Sequence, residues 1–265
     1  MKNLGITKGC KLGSCHTVED ILGEGGFGLV AKCCNTQTEK TVAVKVNKGE
    51  EGVLQQAIEE IVILKQLRCL NTDTCNIVQW DFFFFDKERI CLTFELLHQS
   101  LHHYLQEQSQ YGLPMGELRP ILHQLATALS YVHSINTIHT DLKPVNIMVV
   151  DRRQHRVKLT DFSLACPVSE AKQGMRLGIL WYRAPEMSLG VPLGKAFDMW
   201  VLGLVMAELA MGTAASLKHL HPWTGYSKLS PHTPKNILKQ INIFNVILIS
   251  VFVSLSVCEA ITGAF

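Results

Sequence analysis

From about Val18 to Glu95 the apolar residues fall in short runs that predict β-strands with one helical interruption. The run TVAVKV, Thr41 to Val46, is β-branched and short. WDFFFFDKERICLTFEL predicts two strands around a turn at Asp86-Lys87-Glu88, with the four phenylalanines on a buried or half-buried strand. Between these, EEGVLQQAIEEIVILKQL carries Leu54, Ile58, Ile61 and Val62 at helical spacing.

After Glu95 the period changes. MGELRPILHQLATALSYVHS places Leu118, Ile121, Leu122, Leu125, Leu129 and Val132 on one helical face. KAFDMWVLGLVMAELAMG is apolar nearly all round, which predicts a fully buried helix. A strand-rich part, residues 18–97, is thus followed by a helix-rich part, residues 98–216, after an N-terminal extension of residues 1–17. A Pro/His/Ser-rich linker, residues 217–240, leads to a continuous apolar run at 241–257 and a short end at 258–265. A helix over that run would be roughly 25 Å long, at the short limit for a membrane span.

Composition narrows the picture modestly. The chain has 265 residues, 47% hydrophobic and 18% charged, enough for one large domain or two small lobes. A formal charge of +2 demands neither nucleic acid nor an anionic membrane as partner, and no direct nucleic-acid binding is expected. The nine cysteines form no C-x-x-C pair, which supports neither a zinc site nor a disulfide framework and fits a reducing compartment. The N-terminus lacks an apolar signal core.

Candidate chemistry begins at LGEGGFGLV, where Gly23, Gly25 and Gly28 stand in G-x-G-x-x-G spacing. Glycines let backbone N–H groups approach phosphate oxygens. In a dinucleotide fold the motif would open a helix; here strand-like segments follow, which points to a loop folded over a nucleotide between two strands. Lys45 on the next strand could grip phosphates or be a solvated strand lysine. Glu60 could pair with it, with Glu59 as the neighbouring alternative about 100° round the helix. In TIHTDLKPVNIMVV, Asp141 would orient a substrate hydroxyl and accept its proton, Lys143 would balance γ-phosphate charge, and Asn146 would hold Mg²⁺. Asp161 in LTDFS supplies a second oxygen ligand of the kind magnesium takes. Singly, each of these is more often a cap or turn residue, and His139 reads as structural.

Gly-loop, Lys45, Glu60, Asp141/Asn146, Asp161 and the APE triplet at Ala184 to Glu186 occur in one order at sensible gaps. From about Val18 to Met211 the chain resembles a eukaryotic protein kinase, and LKPVN is similar to the Ser/Thr form of the catalytic loop. The resemblance implies an α+β, two-lobed kinase fold using ATP and Mg²⁺. Leu22, Gly23, Glu24, Gly25, Gly26, Phe27 and Gly28 would cover the phosphates. Val30, Ala43 and Met148 would sandwich adenine beside Phe94, with Glu95 and Leu97 offering hinge backbone groups. Asn146 and Asp161 would hold the metal. VEDILGEGGFGLVAKCCNTQTEKTVAVKV, IHTDLKPVNIMVVD and WYRAPEMSLGVPLGKAFDMWVLGLVMAEL are similar to the homeodomain-interacting protein kinases. That implies protein substrates, transcription regulators among them, in nucleus or cytoplasm. This family places a small residue, not Arg, before the catalytic Asp, so Thr140 is a mild change within it.

Other departures are larger. Ser163 replaces the Gly of Asp-Phe-Gly and restricts the backbone that sets the Asp161 loop's equilibrium. Val145 replaces a Glu, which bears on substrate selection. Counting back from Ala184, the family's activating Tyr falls at Arg176, and two further switch positions fall at Ile179 and Leu180. The phosphorylation switch is lost, with Ser169 and Tyr182 as poor substitutes. The resemblance stops after the helix ending near Met211, which implies a shortened second lobe and a Glu186 without its usual Arg. The favoured expectation is a Ser/Thr kinase; the rivals are a pseudokinase or truncated regulator that binds ATP or a partner without efficient transfer. The apolar tail is expected either to anchor the chain to the cytoplasmic face of a membrane, to cover the shortened lobe, or to have no evolved role.

Overall fold

The structure is a computed structural model that describes residues 4–68, 72–107, 112–171, 182, 184, 187 and 192–212. Arg176, Ile179, Leu180 and Glu186, the linker and the tail lie outside the described residues.

A six-stranded antiparallel sheet forms the first lobe, in the order β1-β2-β3-β4-β6-β5. Its strands are β1 (Lys11–Leu12), β2 (His16–Glu24), β3 (Gly28–Asn35), β4 (Thr41–Asn47), β5 (Trp80–Asp86) and β6 (Arg89–Glu95). Strand pairing therefore begins N-terminal to Val18, because Lys11 and Leu12 pair with Thr17 and His16. Helix α1 (Glu51–Leu67) crosses between β4 and β5, and a single short turn, α2 (Thr72–Cys75), follows.

The two faces of this sheet belong to different cores. On one face Leu12, Val18, Leu29, Ala31, Cys33, Val42, Val44, Val46 and Cys91 form a separate cluster, closed by Leu4 and Ile6. On the other, Ala57, Ile61, Leu64, Trp80, Ile90 and Leu92 join the large core of the helical lobe. The backbone also links the lobes: Val78 N–H donates to Leu159 O at 3.0 Å and Leu159 N–H donates to Asn76 O at 2.8 Å.

The second lobe is built on α3 (Leu101–Glu107), α4 (Met115–Ser134) and α5 (Ala196–Met211). A three-stranded sheet of β7 (Gln99–Ser100), β9 (Ile147–Asp151) and β10 (Arg156–Leu159) lies beside the hinge, and β8 (Thr137–Ile138) pairs with β11 (Cys166–Pro167). The α4 face is as the period predicts, with Leu118, Ile121, Leu125, Leu129 and Val132 buried, though Leu122 is only partly so. Helix α5 is buried on almost every side and stops where Gly212 adopts φ +83°.

Two expectations hold only in part. Of the phenylalanine run only Phe84 is half-buried, packed on the smaller core and stacked on His16, while Phe82, Phe83 and Phe85 are exposed by 40%, 36% and 65%. Helix α1 forms as the spacing predicts, but only part of its spaced apolar set faces the core. Ile58 and Val62 point outward, while Ala57, Glu60, Ile61 and Leu64 point in. A carboxylate on the buried face requires a counter-charge, which locates the site.

Candidate active site

Lys45 supplies that counter-charge. Its Nζ donates to Glu60 Oε1 at 2.8 Å and Oε2 at 2.9 Å, and also to Asp161 Oδ1 at 2.8 Å. The ammonium thus ties the sheet, helix α1 and the segment after β10 together. Glu59, by contrast, is exposed and meets Gln55 instead. Burial opposes the charge on Lys45, but Glu60 and Asp161 outweigh it and hold the ammonium above its ordinary range. Burial opposes Asp161 ionisation too, yet Lys45 and the Ser163 hydroxyl hold its carboxyl well below the usual range. For Glu60, burial pushes the carboxyl up against the pull of Lys45.

Register explains why these groups converge. Lys45 lies opposite Val30 on β3 and Leu92 on β6, and Ala43 lies opposite Phe94. Residues directly opposite share a face of the sheet, so Val30, Ala43, Lys45 and Phe94 line one side. Glu95 continues β6 into the hinge, and its carboxylate accepts from the buried Lys158 Nζ at 2.6 Å, fixing the hinge to β10. Met148 on β9 faces Ser100 in register just beyond it, while Leu97 and Phe94 pack on the large core.

The β2–β3 hairpin end carries the glycines. Leu22, Gly23, Glu24, Gly25, Gly26 and Phe27 are exposed. A Cβ on Gly23, Gly25 or Gly26 would meet nothing within 4 Å, whereas one on Gly28 would sit 2.0 Å from Val46 O. Gly28 is therefore required by packing, and the other three leave open space where a phosphate would lie. Lys48 was not visible as a site residue in the sequence. Its Nζ donates to Gly26 O at 2.8 Å, which ties the hairpin end to the residue that follows β4, while Gly25 N–H donates to Gly28 O at 2.8 Å.

Below the cleft, Asp141 Oδ2 accepts from Lys143 Nζ at 2.7 Å and from Asn146 Nδ2 at 2.9 Å. Asn146 Nδ2 also donates to Asp141 O at 2.9 Å. His139 is fully buried; its Nε2 lies 3.1 Å from Thr160 O and its ring meets Phe162 edge-on at 5.0 Å. The loop hangs from Asp198 on α5. Its carboxylate accepts the N–H groups of His139 at 2.9 Å and Thr140 at 3.0 Å, and lies 2.8 Å from His133 Nε2. Asp198 was also missed, though a charge inside an otherwise apolar helix is a signal that a partner must exist. Of the two substitute phosphorylation positions, Ser169 is exposed, whereas Tyr182 is buried and its hydroxyl donates to Glu208.

Two oxygen donors remain for a cation. The Asn146 amide nitrogen is committed to Asp141, which leaves its Oδ1. Asp161 Oδ1 is committed to Lys45 and Ser163, which leaves Oδ2. A pair of hard oxygen ligands, the rest coming from water and phosphate, suits Mg²⁺. Among the described residues no cluster of three or more His, Cys, Asp or Glu could hold a metal by itself.

The sequence matches the protein kinase domain family over residues 16–240. Homeodomain-interacting protein kinase 1 of Mus musculus is 43% identical over 205 residues, which cover 77% of this chain and 17% of that protein. Its namesake in Caenorhabditis elegans is 41% identical over 202 residues, covering 76% and 24% respectively. The crystal structure of a kinase domain, 28% identical, superposes with a TM-score of 0.78 over 89% of this chain and 76% of that one. The chain spans well under a third of the length of these two curated relatives.

Proposed function

The chain belongs to the protein kinase family, and from that premise we propose that it transfers the γ-phosphate of ATP to serine or threonine hydroxyls of a protein. The observation that carries this is the closed set Lys45–Glu60–Asp161 above Asp141–Lys143–Asn146. Each side chain to which this reading gives a phosphate or a metal is held by a neighbour, which supports it.

In this reading Lys45 binds the α- and β-phosphates from its position on β4, steadied by Glu60. The loop Leu22–Gly28 closes over the phosphates, and Val30, Ala43, Phe94 and Met148 bound the adenine beside the backbone of Glu95 and Leu97. Asn146 and Asp161 would hold Mg²⁺, which neutralises charge on the β- and γ-oxygens when bound. Asp141 orients the incoming hydroxyl and receives its proton, while Lys143 offsets charge at the transferred group. Val145 stands 51% exposed on the substrate side of this loop, so the loop offers no carboxylate there for a basic substrate residue.

Relatives named for interaction with homeodomain proteins support transcription regulators as substrates, and with them work in nucleus or cytoplasm. The seven described cysteines are all free, consistent with a reducing compartment. Among the described residues no helix is long and apolar enough to cross a membrane. The test is transfer from radiolabelled ATP to a generic basic protein and to a homeodomain protein, with Asp141→Asn as control. Label that is absent, or equal in the control, sinks the proposal.

A further inference from the structure

Two hydroxyls stand where the kinase motifs place other groups. Thr140 directly precedes Asp141, and Ser163 occupies the glycine position of the segment that begins at Asp161. They are 2% and 7% exposed, so neither hydroxyl is spent on water. Both are spent on one short stretch: Thr140 Oγ1 donates to Leu164 O at 2.6 Å, and Ser163 Oγ donates to Asp161 Oδ1 at 2.8 Å.

The backbone around them explains the aim of each. Thr140 has φ +66°, a conformation costly for a β-branched residue and kept only where the surroundings impose it. Asp198 imposes it by accepting the N–H groups of His139 and Thr140 themselves. At the other hydroxyl the strain lies elsewhere: Asp161 carries φ +61° and Ser163 no positive φ at all. This conformation therefore needs no glycine at 163. A serine there, with fewer competing conformations than glycine, favours it. The Ser163 carbonyl in turn accepts from Gln56 Nε2 on α1 at 2.7 Å. Further along, Cys166 pairs with Ile138, and Val168 N–H donates to Asn136 O at 2.8 Å. The stretch is thus bonded to α1, to the catalytic loop and to itself.

Resting on the kinase reading, we propose that Thr140 and Ser163 are positioning residues, a pair of hydroxyls that clasp Asp161–Leu164 in the conformation that joins Asp161 to Lys45, with no phosphorylated residue required. An arginine before the catalytic Asp would tie this segment through a phosphate; here a direct hydroxyl–carbonyl bond does so. The clasp accounts for two departures from the kinase pattern with one function.

The test is hydrogen exchange read by mass spectrometry on peptides covering residues 160–168 of the full chain, phosphatase-treated and free of nucleotide. Thr140→Val and Ser163→Ala each speed exchange there about three- to tenfold, the range for loss of one buried hydrogen bond, while Thr140→Ser stays near wild type. In a second arm, the Kd for Mg-ATP weakens by a similar factor in the first two variants, and the Kd for metal-free ATP does not move. Unchanged exchange in Ser163→Ala and Thr140→Val overturns the clasp, as does a Thr140→Ser variant that opens as much as Thr140→Val. If Thr140→Val does not fold, Ser163→Ala decides alone. Exchange that rises as expected in the variants, beside a wild-type chain that does not bind Mg-ATP, supports the clasp and removes the kinase reading instead.

Discussion

The catalytic loop and the glycine loop are both short, both rich in motif residues, and opposite in construction. His139, Thr140, Asp141 and Asn146 are buried, and the loop is suspended from a fully buried Asp198 by two N–H bonds. Leu22 to Phe27 are exposed, and the hairpin end is held by the Gly25 N–H to Gly28 O bond and by Lys48. In the proposed reaction proton transfer tolerates little displacement, and the loop that would carry it out through Asp141 is over-determined. A loop proposed to cover a nucleotide must let it enter and leave, and this one has open space over three glycines. One loop is specified by the core and the other by the absence of side chains.

The sharpest way to break that contrast is at Asp198. Asp198→Ala leaves two buried backbone N–H groups without acceptors and Thr140 without the bond that imposes its φ. The expected cost is about 4 kcal/mol of stability, the range for a buried charged network, and the helical lobe unfolds first. Urea unfolding followed by tryptophan fluorescence measures it. A loss under about 1 kcal/mol would mean that the loop is held by something other than Asp198.

Lys45 lies between the two loops and gives the next effect. Lys45→Ala strands Glu60 on the buried face of α1. A loss of about 2 kcal/mol is expected, less than for a wholly buried pair because Asp161 is 35% exposed. The pH dependence has a defined sign. Asp161, held below its ordinary 3.8, contributes stability above that value and loses it as pH falls toward the lower folded value. Lys45, held above its ordinary 10.5, contributes below that value and loses it as pH rises further. Between about pH 4 and 10 these two contributions are level. In Lys45→Ala, burial of Glu60 without a cation raises its carboxyl further, so stability relative to wild type improves as pH falls from about 7 to 5. A thermal melt series across that range shows it, and a difference that stays flat rejects it. The same melts with millimolar Mg-ATP raise the wild-type midpoint and leave the variant unmoved.

Much of this site was legible before any coordinates, and the gaps have physical causes. Lys45, Glu60, Asp141, Asn146 and Asp161 stand out because their order and spacing answer to one chemistry. Choosing Glu60 over Glu59 needed only the kinase helix pattern, and the buried face of α1 carries it. Which face of that helix turns inward was not legible from spacing alone, because Ile58 and Val62 mimic a core stripe while a carboxylate takes an inner position. The phenylalanine run misled for a related reason: hydrophobicity reports what is costly to expose, not whether anything packs over each face of the strand. Asp198 left only the signal of a charge in an apolar helix, because it accepts from backbone N–H groups far away in sequence, and Lys48 and Gln56 left none, because they donate to distant backbone carbonyls. A backbone acceptor leaves no mark in a motif.

The glycines separate packing from binding within a single loop. Gly28→Ala drives a Cβ to 2.0 Å from a β4 carbonyl, so the β3–β4 ladder must shift. A loss of about 2 kcal/mol is expected, with nucleotide affinity falling along with it. Gly25→Ala meets nothing within 4 Å and leaves the melting midpoint within about a degree, yet it weakens Mg-ATP because the new methyl intrudes where phosphate oxygens approach the backbone. Calorimetric titration beside a thermal melt resolves the two. Equal stability losses at both positions would erase the distinction.

Lys48→Met should have the smallest effect, and it probes the loosely held side of the contrast. Lys48 is 8% exposed, and its side chain crosses beneath the hairpin to reach the Gly25 and Gly26 carbonyls at 3.4 and 2.8 Å. Methionine keeps most of the stem's packing and deletes the charged donor. The freed carbonyls lie at exposed residues and turn to water, so the stability change is expected to stay under about 1 kcal/mol. Nucleotide binding changes in kinetics rather than in stability: a loop released from its anchor opens more often, so Mg-ATP dissociates about threefold faster with little change in association. Stopped-flow displacement of a fluorescent ATP analogue reads both rates. A dissociation rate equal to wild type would show that the hairpin is held by its strands alone. A large stability loss would place Lys48 with Asp198 among the groups that fix the fold.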